Sequence, residues 1–379
     1  MGVKDNLVSW FIKNIEMSRM ELIDNPGFVV TQFSEKGANV FMREIFFPEE
    51  VFVNIERNVE ARMGEKGAKL LYSAGKTFGR TYSKMSAFPK FESGKEGEME
   101  DFVYMFIRYM EAMWSSGIQH TLDLEKKTLE MKAKDFVVCR KDGLGRIISE
   151  GTGAGFWSYV MNDSSIEASH PRCIGRGADV CDLVYAPNYR LHEAGLKYLE
   201  LEPEEDVKIV TPNYVELNRI REPQFSRSSF KNMVDSGHIE YKNGTVKFAD
   251  ERHMLCEASI FYLLESYLSK EGGDSVIFQS AFDYGMKLSQ KLDDGKIEPL
   301  ISDYLSATGW GDSIVLNKEG KYRIVSNYFP WTPLADSVTF SLFRGMVSGI
   351  LSGHVGRQVL LDKISMGTSQ GFFVLEAYE

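Results

Sequence analysis

Hydrophobic and polar positions along the chain fall into two series of elements that follow the same order. LLYSAGKTFGRTYSKM (Leu70 to Met85) places apolar or small residues three and four apart, which predicts one buried helical face. VIFQSAFDYGMKLSQKL (Val276 to Leu292) repeats that spacing at an offset of 206, matching Leu71 with Ile277, Ala74 with Ser280, Phe78 with Tyr284, Gly79 with Gly285 and Tyr82 with Leu288. The shared glycine marks a point of close packing. Upstream, FVVTQFSEKGANVFM (Phe28 to Met42) and HIEYKNGTVKFAD (His238 to Asp250) each predict a β-hairpin, with Lys36-Gly37 and Asn243-Gly244 as turns. A helical stretch follows each hairpin, Glu49 to Met63 and Glu251 to Ser269.

Downstream, Asp101 to Trp114 and Glu298 to Trp310 are helical patterns that close at a tryptophan. Two strands follow in each series, within Thr121 to Cys139 and within Ser313 to Phe329. Then come the glycine-bearing helices GFWSYVM (Gly155 to Met161) and GMVSGIL (Gly345 to Leu351), each before a final strand pair. The offset there is about 190, so the first series carries extra residues, placed around the charged segment Phe88 to Asp101 as a solvated loop. The pattern predicts an α+β protein of two tandem units, each a helical bundle packed on an antiparallel sheet. The expected division is an N-terminal amphipathic helix or extension over 1–26, a first repeat over 27–186, a connector over 187–226 and a second repeat over 227–379. Duplicated units of this kind tend to pair about an approximate twofold axis, which predicts an intrachain pseudo-dimer and leaves a homodimer open.

Composition narrows the function classes. A net charge of -10 and the lack of a basic stripe exclude a nucleic-acid backbone as the default partner. No apolar run is long enough to span a bilayer, and the N-terminus is amphipathic rather than a signal peptide. Four cysteines in 379 residues suggest a reducing, cytoplasmic setting. HPRCIGRGADVC (His170 to Cys181) wraps a histidine and two cysteines around Gly175 and Gly177. By itself that stretch suits a metal site, a redox pair or a tight turn with buried thiols.

GFWSYVMNDSSIEASHPRCIGRGADVC, following LLYSAGKTFGRTYSK, resembles the 4-vinyl reductase domain, also called the predicted hydrocarbon-binding domain. The family turn of C-x3-G-D-x2-C type stands here as Cys173, Gly177, Asp179 and Cys181, with the aspartate displaced by one position. GMVSGILSGHVGRQVLLDKISMGTSQGFFVLEAYE keeps the layout with Ser365 and Phe373 at the cysteine positions. Related domains are the effector-sensing parts of activators that respond to phenol and other aromatics, and the vesicle-tethering subunits that enclose an acyl chain. The resemblance implies an apolar cavity between sheet and helices, and a small hydrophobic or aromatic ligand.

In the aromatic-sensing relatives a zinc is held at E-x2-C-x7-C, with a further cysteine upstream. The resemblance therefore implies a structural zinc on His170, which takes the glutamate position, with Cys173 and Cys181. Cys139 is the candidate fourth ligand; Glu150 and His192 are substitutes. Cys256 lies on an apolar helical face and reads as core.

Other motifs fail on inspection. GTGAGFW (Gly151 to Trp157) lacks the last glycine of the dinucleotide fingerprint, and its counterpart RGMVSG keeps no such loop, so these glycines predict close helix packing. There is no G-x-S-x-G elbow and no HExxH, and Asp293-Asp294 reads as a turn, so no catalytic motif is recognisable. Aromatic residues are plentiful enough to line a cavity. Helix position selects Phe78, Tyr82, Trp114, Trp157 and Tyr159 in the first repeat, and Phe282, Tyr284, Trp310, Trp331 and Phe343 in the second. The expectation is a sensor, carrier or regulatory protein whose output passes through a protein partner or the pseudo-dimer interface. The alternatives are a reductase or tetrapyrrole-pathway accessory enzyme, and a scaffold subunit with a filled core.

Overall fold

The chain begins with three antiparallel strands, β1 (Glu21–Asn25), β2 (Phe28–Glu35) and β3 (Ala38–Pro48). There follow helix α1 (Glu49–Met85), α2 (Glu96–Trp114), β4 (Ser116–Asp123), β5 (Thr128–Lys134), a short 3₁₀ turn at Val137–Cys139, α3 (Arg146–Val160), β6 (Ile166–Arg172), β7 (Cys181–Pro187) and α4 (Asn188–Glu193). The second series is α5 (Phe230–Asp235), β8 (Ile239–Lys242), β9 (Thr245–Phe248), β10 (Glu251–Glu257), α6 (Ser259–Ser269), α7 (Asp274–Ser289), α8 (Ile297–Ala307), β11 (Asp312–Lys318), β12 (Lys321–Asn327), α9 (Ser341–Val355), β13 (Lys363–Met366) and β14 (Phe373–Glu376). The structure, a computed structural model, describes residues 21–35, 38–134, 136–139, 146–201, 224–225, 227–242, 245–292, 295–331, 339–366 and 373–377. The fold class is α+β. Among the described residues no helix is long and apolar enough to cross a membrane.

Two compact units divide the chain, one over 1–19 and 56–208, the other over 20–55 and 209–379. The first hairpin, which the sequence pattern assigns to the first repeat, therefore belongs to the second unit. There β3 pairs antiparallel with β10 inside a six-stranded sheet ordered β1-β2-β3-β10-β9-β8. Two further differences from the sequence reading stand out. Glu251 to Glu257 form strand β10 rather than the start of a helix, because pairing with β3 satisfies their backbone while apolar positions alternate poorly with either period. Glu21 to Asn25 form a strand rather than part of an amphipathic helix; residues 1–20 lie outside the described set, as do the turn residues Lys36, Gly37, Asn243 and Gly244 and most of the connector.

Each unit also holds a four-stranded antiparallel sheet. The first is ordered β4-β5-β7-β6 with α3 between its second and third strands in sequence; the second is ordered β11-β12-β14-β13 with α9 in that place. The glycine-rich helix lies against one other helix in each unit. A Cβ at Gly151 would stand 2.2 Å from the Tyr72 carbonyl oxygen of α1, and one at Gly155 2.0 Å from that of Lys76. In the second unit a Cβ at Gly345 would meet the Phe278 carbonyl oxygen of α7 at 2.3 Å, and one at Gly349 that of Phe282 at 2.2 Å. Reciprocally, Gly79 faces Thr152 O and Gly285 faces Met346 O. Only glycine permits such backbone-to-backbone contact. GTGAGFW is thus an interhelical seam, not a phosphate loop.

A buried glutamate begins each glycine-rich helix. Glu56 accepts from the Ile147 N–H at the start of α3, and Glu265 accepts from Leu342 N–H at the start of α9 at 2.7 Å. These carboxylates satisfy amides that would otherwise be orphaned at a helix N-terminus. Burial, against these hydrogen bonds, pushes each pKa up to about 8.

Candidate metal centre

The connection from β6 to β7 is built tightly. Cys173 ends the extended segment, and Ile174–Arg176 make one 3₁₀ turn. Gly177, at φ 90°, closes it by donating its N–H to the Ile174 carbonyl. That left-handed geometry suits glycine and strains most other residues. The Cys173 carbonyl accepts from both Arg176 and Ala178 N–H, and Cys181 starts the next strand. Ile174 N–H points at Cys181 Sγ at 3.4 Å, and Gly175 N–H is directed at Cys173 sulfur. Amides aimed at sulfur stabilise thiolates. Asp179, the displaced aspartate of the turn, is exposed and pairs with Arg172, away from the sulfurs.

Cys139, at the end of the 3₁₀ turn after β5, joins this loop. One ligand atom each from Cys139, His170, Cys173 and Cys181 lie within 4.8 Å of one another, all four side chains being buried or nearly so. The four residues expected from the sequence are therefore brought together. Glu150 and His192 are not members of the cluster. His192 is exposed on α4. Glu150, on α3, instead faces the histidine, with its Oε1 3.2 Å from His170 Nδ1, and accepts from Arg146 at 2.9 Å.

Electrostatically the cluster is crowded. Hydrogen bonding from Cys139 and Cys173 holds the Cys181 thiol far below its usual range, and the same sharing pushes Cys139 far above it. Burial tends to lower the His170 pKa, but the proximity of Cys181 and Glu150 outweighs it and raises the value to about 9. Neither ring nitrogen of His170 makes a well-directed hydrogen bond among the described residues, although the side chain is only 1% exposed. A buried imidazole in that state is costly unless it donates to something else. Three thiols and one imidazole are donors that can hold a metal ion, and a buried ring nitrogen without a hydrogen-bond partner fits a metal ligand.

The aromatic residues chosen from the sequence separate into several environments. In the first unit Phe78 and Tyr82 are half-buried, with ring centroids 5.8 Å apart, and Tyr82 continues to Phe88. Trp157 is fully buried and donates to Lys127 O at 2.9 Å. Trp114 lies edge-on to Tyr109, and Tyr159 lies under the Lys90 ammonium at 5.0 Å. These five do not converge on one point. The hub is a group the sequence reading passed over: Phe88, Phe102, Phe106 and Phe156, with Phe106 stacked on Phe156 at 4.1 Å. Phe102 and Phe106 stand four apart on α2, a helical signal that was available. Phe88 comes from the segment expected to be a solvated loop.

In the second unit Trp310, Trp331 and Phe343 do converge, with Trp310 5.7 Å from Trp331 and 5.4 Å from Phe343. Phe47, Phe261 and Phe329 complete the group. Both indole N–H groups are fully buried and find no hydrogen-bond partner among the described residues, and the buried Tyr284 hydroxyl is in the same condition. Phe282 is apart from them, stacked on Phe278.

Comparison with known proteins adds little. No protein-family model matches the chain. No curated protein matches it. Among solved structures it is similar to the phenol-responsive sensory domain of the transcription activator PoxR, crystallised with phenol. The identity is 14% over 52% of this chain and 96% of that one, with a TM-score of 0.33. A similarity so distant transfers neither a ligand nor a residue role.

Proposed function

We propose that the protein is a small-molecule-binding sensor or carrier built from two related units, the first stapled by a structural zinc on Cys139, His170, Cys173 and Cys181. The convergence of those four donors within 4.8 Å carries the reading. A zinc ion there would cross-link the 3₁₀ turn after β5, the end of β6 and the start of β7, and so tie down one end of the four-stranded sheet. Serine and phenylalanine at 365 and 373 leave the second unit without such donors.

For the ligand, the second unit offers the better-formed candidate. An aromatic group holding two unpartnered indole donors suits a compound with an apolar body and one hydrogen-bond acceptor oxygen, because each buried donor left unmade costs about 1–3 kcal/mol. Duplication of one ancestral unit accounts for the matching strand orders and the matching glycine seams. The scaffold alternative draws on the complete burial of Trp310, Trp331 and Phe343, which a filled core also provides.

Native mass spectrometry with metal analysis tests the whole reading. One zinc per chain and a co-purified small molecule released on denaturation support it. A metal-free folded chain removes the zinc, and a ligand-free chain in stable complex with another protein favours the scaffold.

A further inference from the structure

We infer that Glu150 is the positioning residue of the metal centre, holding His170 in the tautomer that turns Nε2 toward the three sulfurs. The inference rests on the metal-centre reading and goes beyond it to a carboxylate that is not itself a ligand. Its Oε1 stands 3.2 Å from His170 Nδ1, and both side chains are almost fully buried, at 6% and 1% exposure. That contact makes Nδ1 the natural site of the imidazole proton, so that the opposite nitrogen is left to donate.

Glu150 is itself immobilised in two ways. Arg146, one turn earlier on α3, donates to the same oxygen at 2.9 Å. The next residue, Gly151, packs its backbone against the Tyr72 carbonyl of α1, and Gly155 does so against Lys76. The helix seam therefore sets the carboxylate's position, and the carboxylate sets the ring. A ligating histidine needs such an anchor more than a cysteine does, since its ring can rotate and offer either nitrogen. The second unit keeps the seam but not the carboxylate: Gly345 follows Arg344 where Gly151 follows Glu150.

Zinc affinity measured by competition with a chromophoric chelator, on the full chain, tests this. Glu150→Leu should weaken binding about 10- to 100-fold while stoichiometry stays at one, and Glu150→Gln, which keeps an acceptor oxygen, should recover most of the loss. Histidine-selective ¹⁵N spectra supply a readout that general destabilisation would not move. The zinc-loaded wild type should show His170 protonated at Nδ1 and metal-bound at Nε2, and Glu150→Leu should lose that single tautomer. Unchanged affinity together with an unchanged His170 signature in Glu150→Leu overturns the assignment. If that variant does not fold, the wild-type spectrum decides alone, since a ring bound through Nδ1 excludes the role. A wild-type chain that takes up no zinc is a different failure, that of the metal centre itself.

Discussion

The two units solve one packing problem with different chemistry. In both, a glycine-rich helix presses its backbone onto a neighbouring helix, and a buried glutamate opens that helix. Around this shared frame the first unit is polar where the second is apolar. Tyr72 and Lys76, whose carbonyls touch Gly151 and Gly155, converge on Glu167 of β6. The Lys76 ammonium reaches it at 2.7 Å, and the Tyr72 hydroxyl donates to it at 2.8 Å while accepting from Ala168 N–H. The residues that touch Gly345 and Gly349 in the second unit are Phe278 and Phe282, stacked on each other. The first unit thus fixes β6, the strand that delivers His170 and Cys173, with a buried ion pair and, on our reading, a metal. The second relies on aromatic packing around Trp310 and Trp331. Polar networks fix geometry at a cost in desolvation; apolar cores stabilise without fixing a donor's direction.

Removing the metal should break the comparison most strongly. Zinc in small structural sites contributes on the order of 10 kcal/mol, so a strong chelator should lower the first unit's thermal transition by ~10 °C or more and leave the second's in place. Differential scanning calorimetry with and without chelator measures this.

Next is Lys76→Met. It leaves Glu167 buried without its cation and should cost the first unit about 3–5 kcal/mol in urea unfolding. Importing the second unit's pattern through Tyr72→Phe, Lys76→Phe and Glu167→Leu together should restore most of that loss. Failure of the triple variant to recover would mean that the ion pair has a role beyond stability.

Raising the pH sharpens the contrast further. Glu44 and Glu257 are direct cross-strand partners in the six-stranded sheet, both buried. Burial, and for Glu44 the neighbouring Glu257 charge, raises them to about 8 and about 7, beside Glu265 at about 8. A carboxyl whose folded pKa lies above its ordinary value binds its proton more tightly when folded. Stability is then lost as pH rises from about 4.5 through the folded value. The second unit, with Glu44, Glu257 and Glu265 raised into this range, should lose more stability between pH 6 and 9 than the first, in which Glu56 alone is raised to about 8. Glu44→Gln should flatten its profile, and a second-unit transition independent of pH in wild type would contradict the burial of the pair.

The smallest effect should be the same in both units. Gly155→Ala and Gly349→Ala place a methyl group against a backbone carbonyl oxygen and should each cost about 2 kcal/mol in the unit that carries them. A large cost in one and none in the other would argue against a common origin.

The periodicity of apolar residues located most helices and the glycine seams, because a helix pair in backbone contact tolerates no other residue there. The spacing of His170, Cys173 and Cys181 exposed three donors, since a short loop between paired strands leaves them few places to go. Cys139 was legible only through family likeness, as no local spacing ties it to the rest. The pattern of strand β10 fits neither period well; β9 pairs with its first three residues, and the rest is decided by β3, more than 200 residues away. The role of Glu150 depends on the same kind of long-range placement. Local composition fixes what a segment can become, through steric and burial preferences that act over a few residues. Which carboxylate faces His170, which hairpin joins which sheet and which indoles are left without partners are set by backbone approach between distant segments, and those choices belong to the tertiary structure.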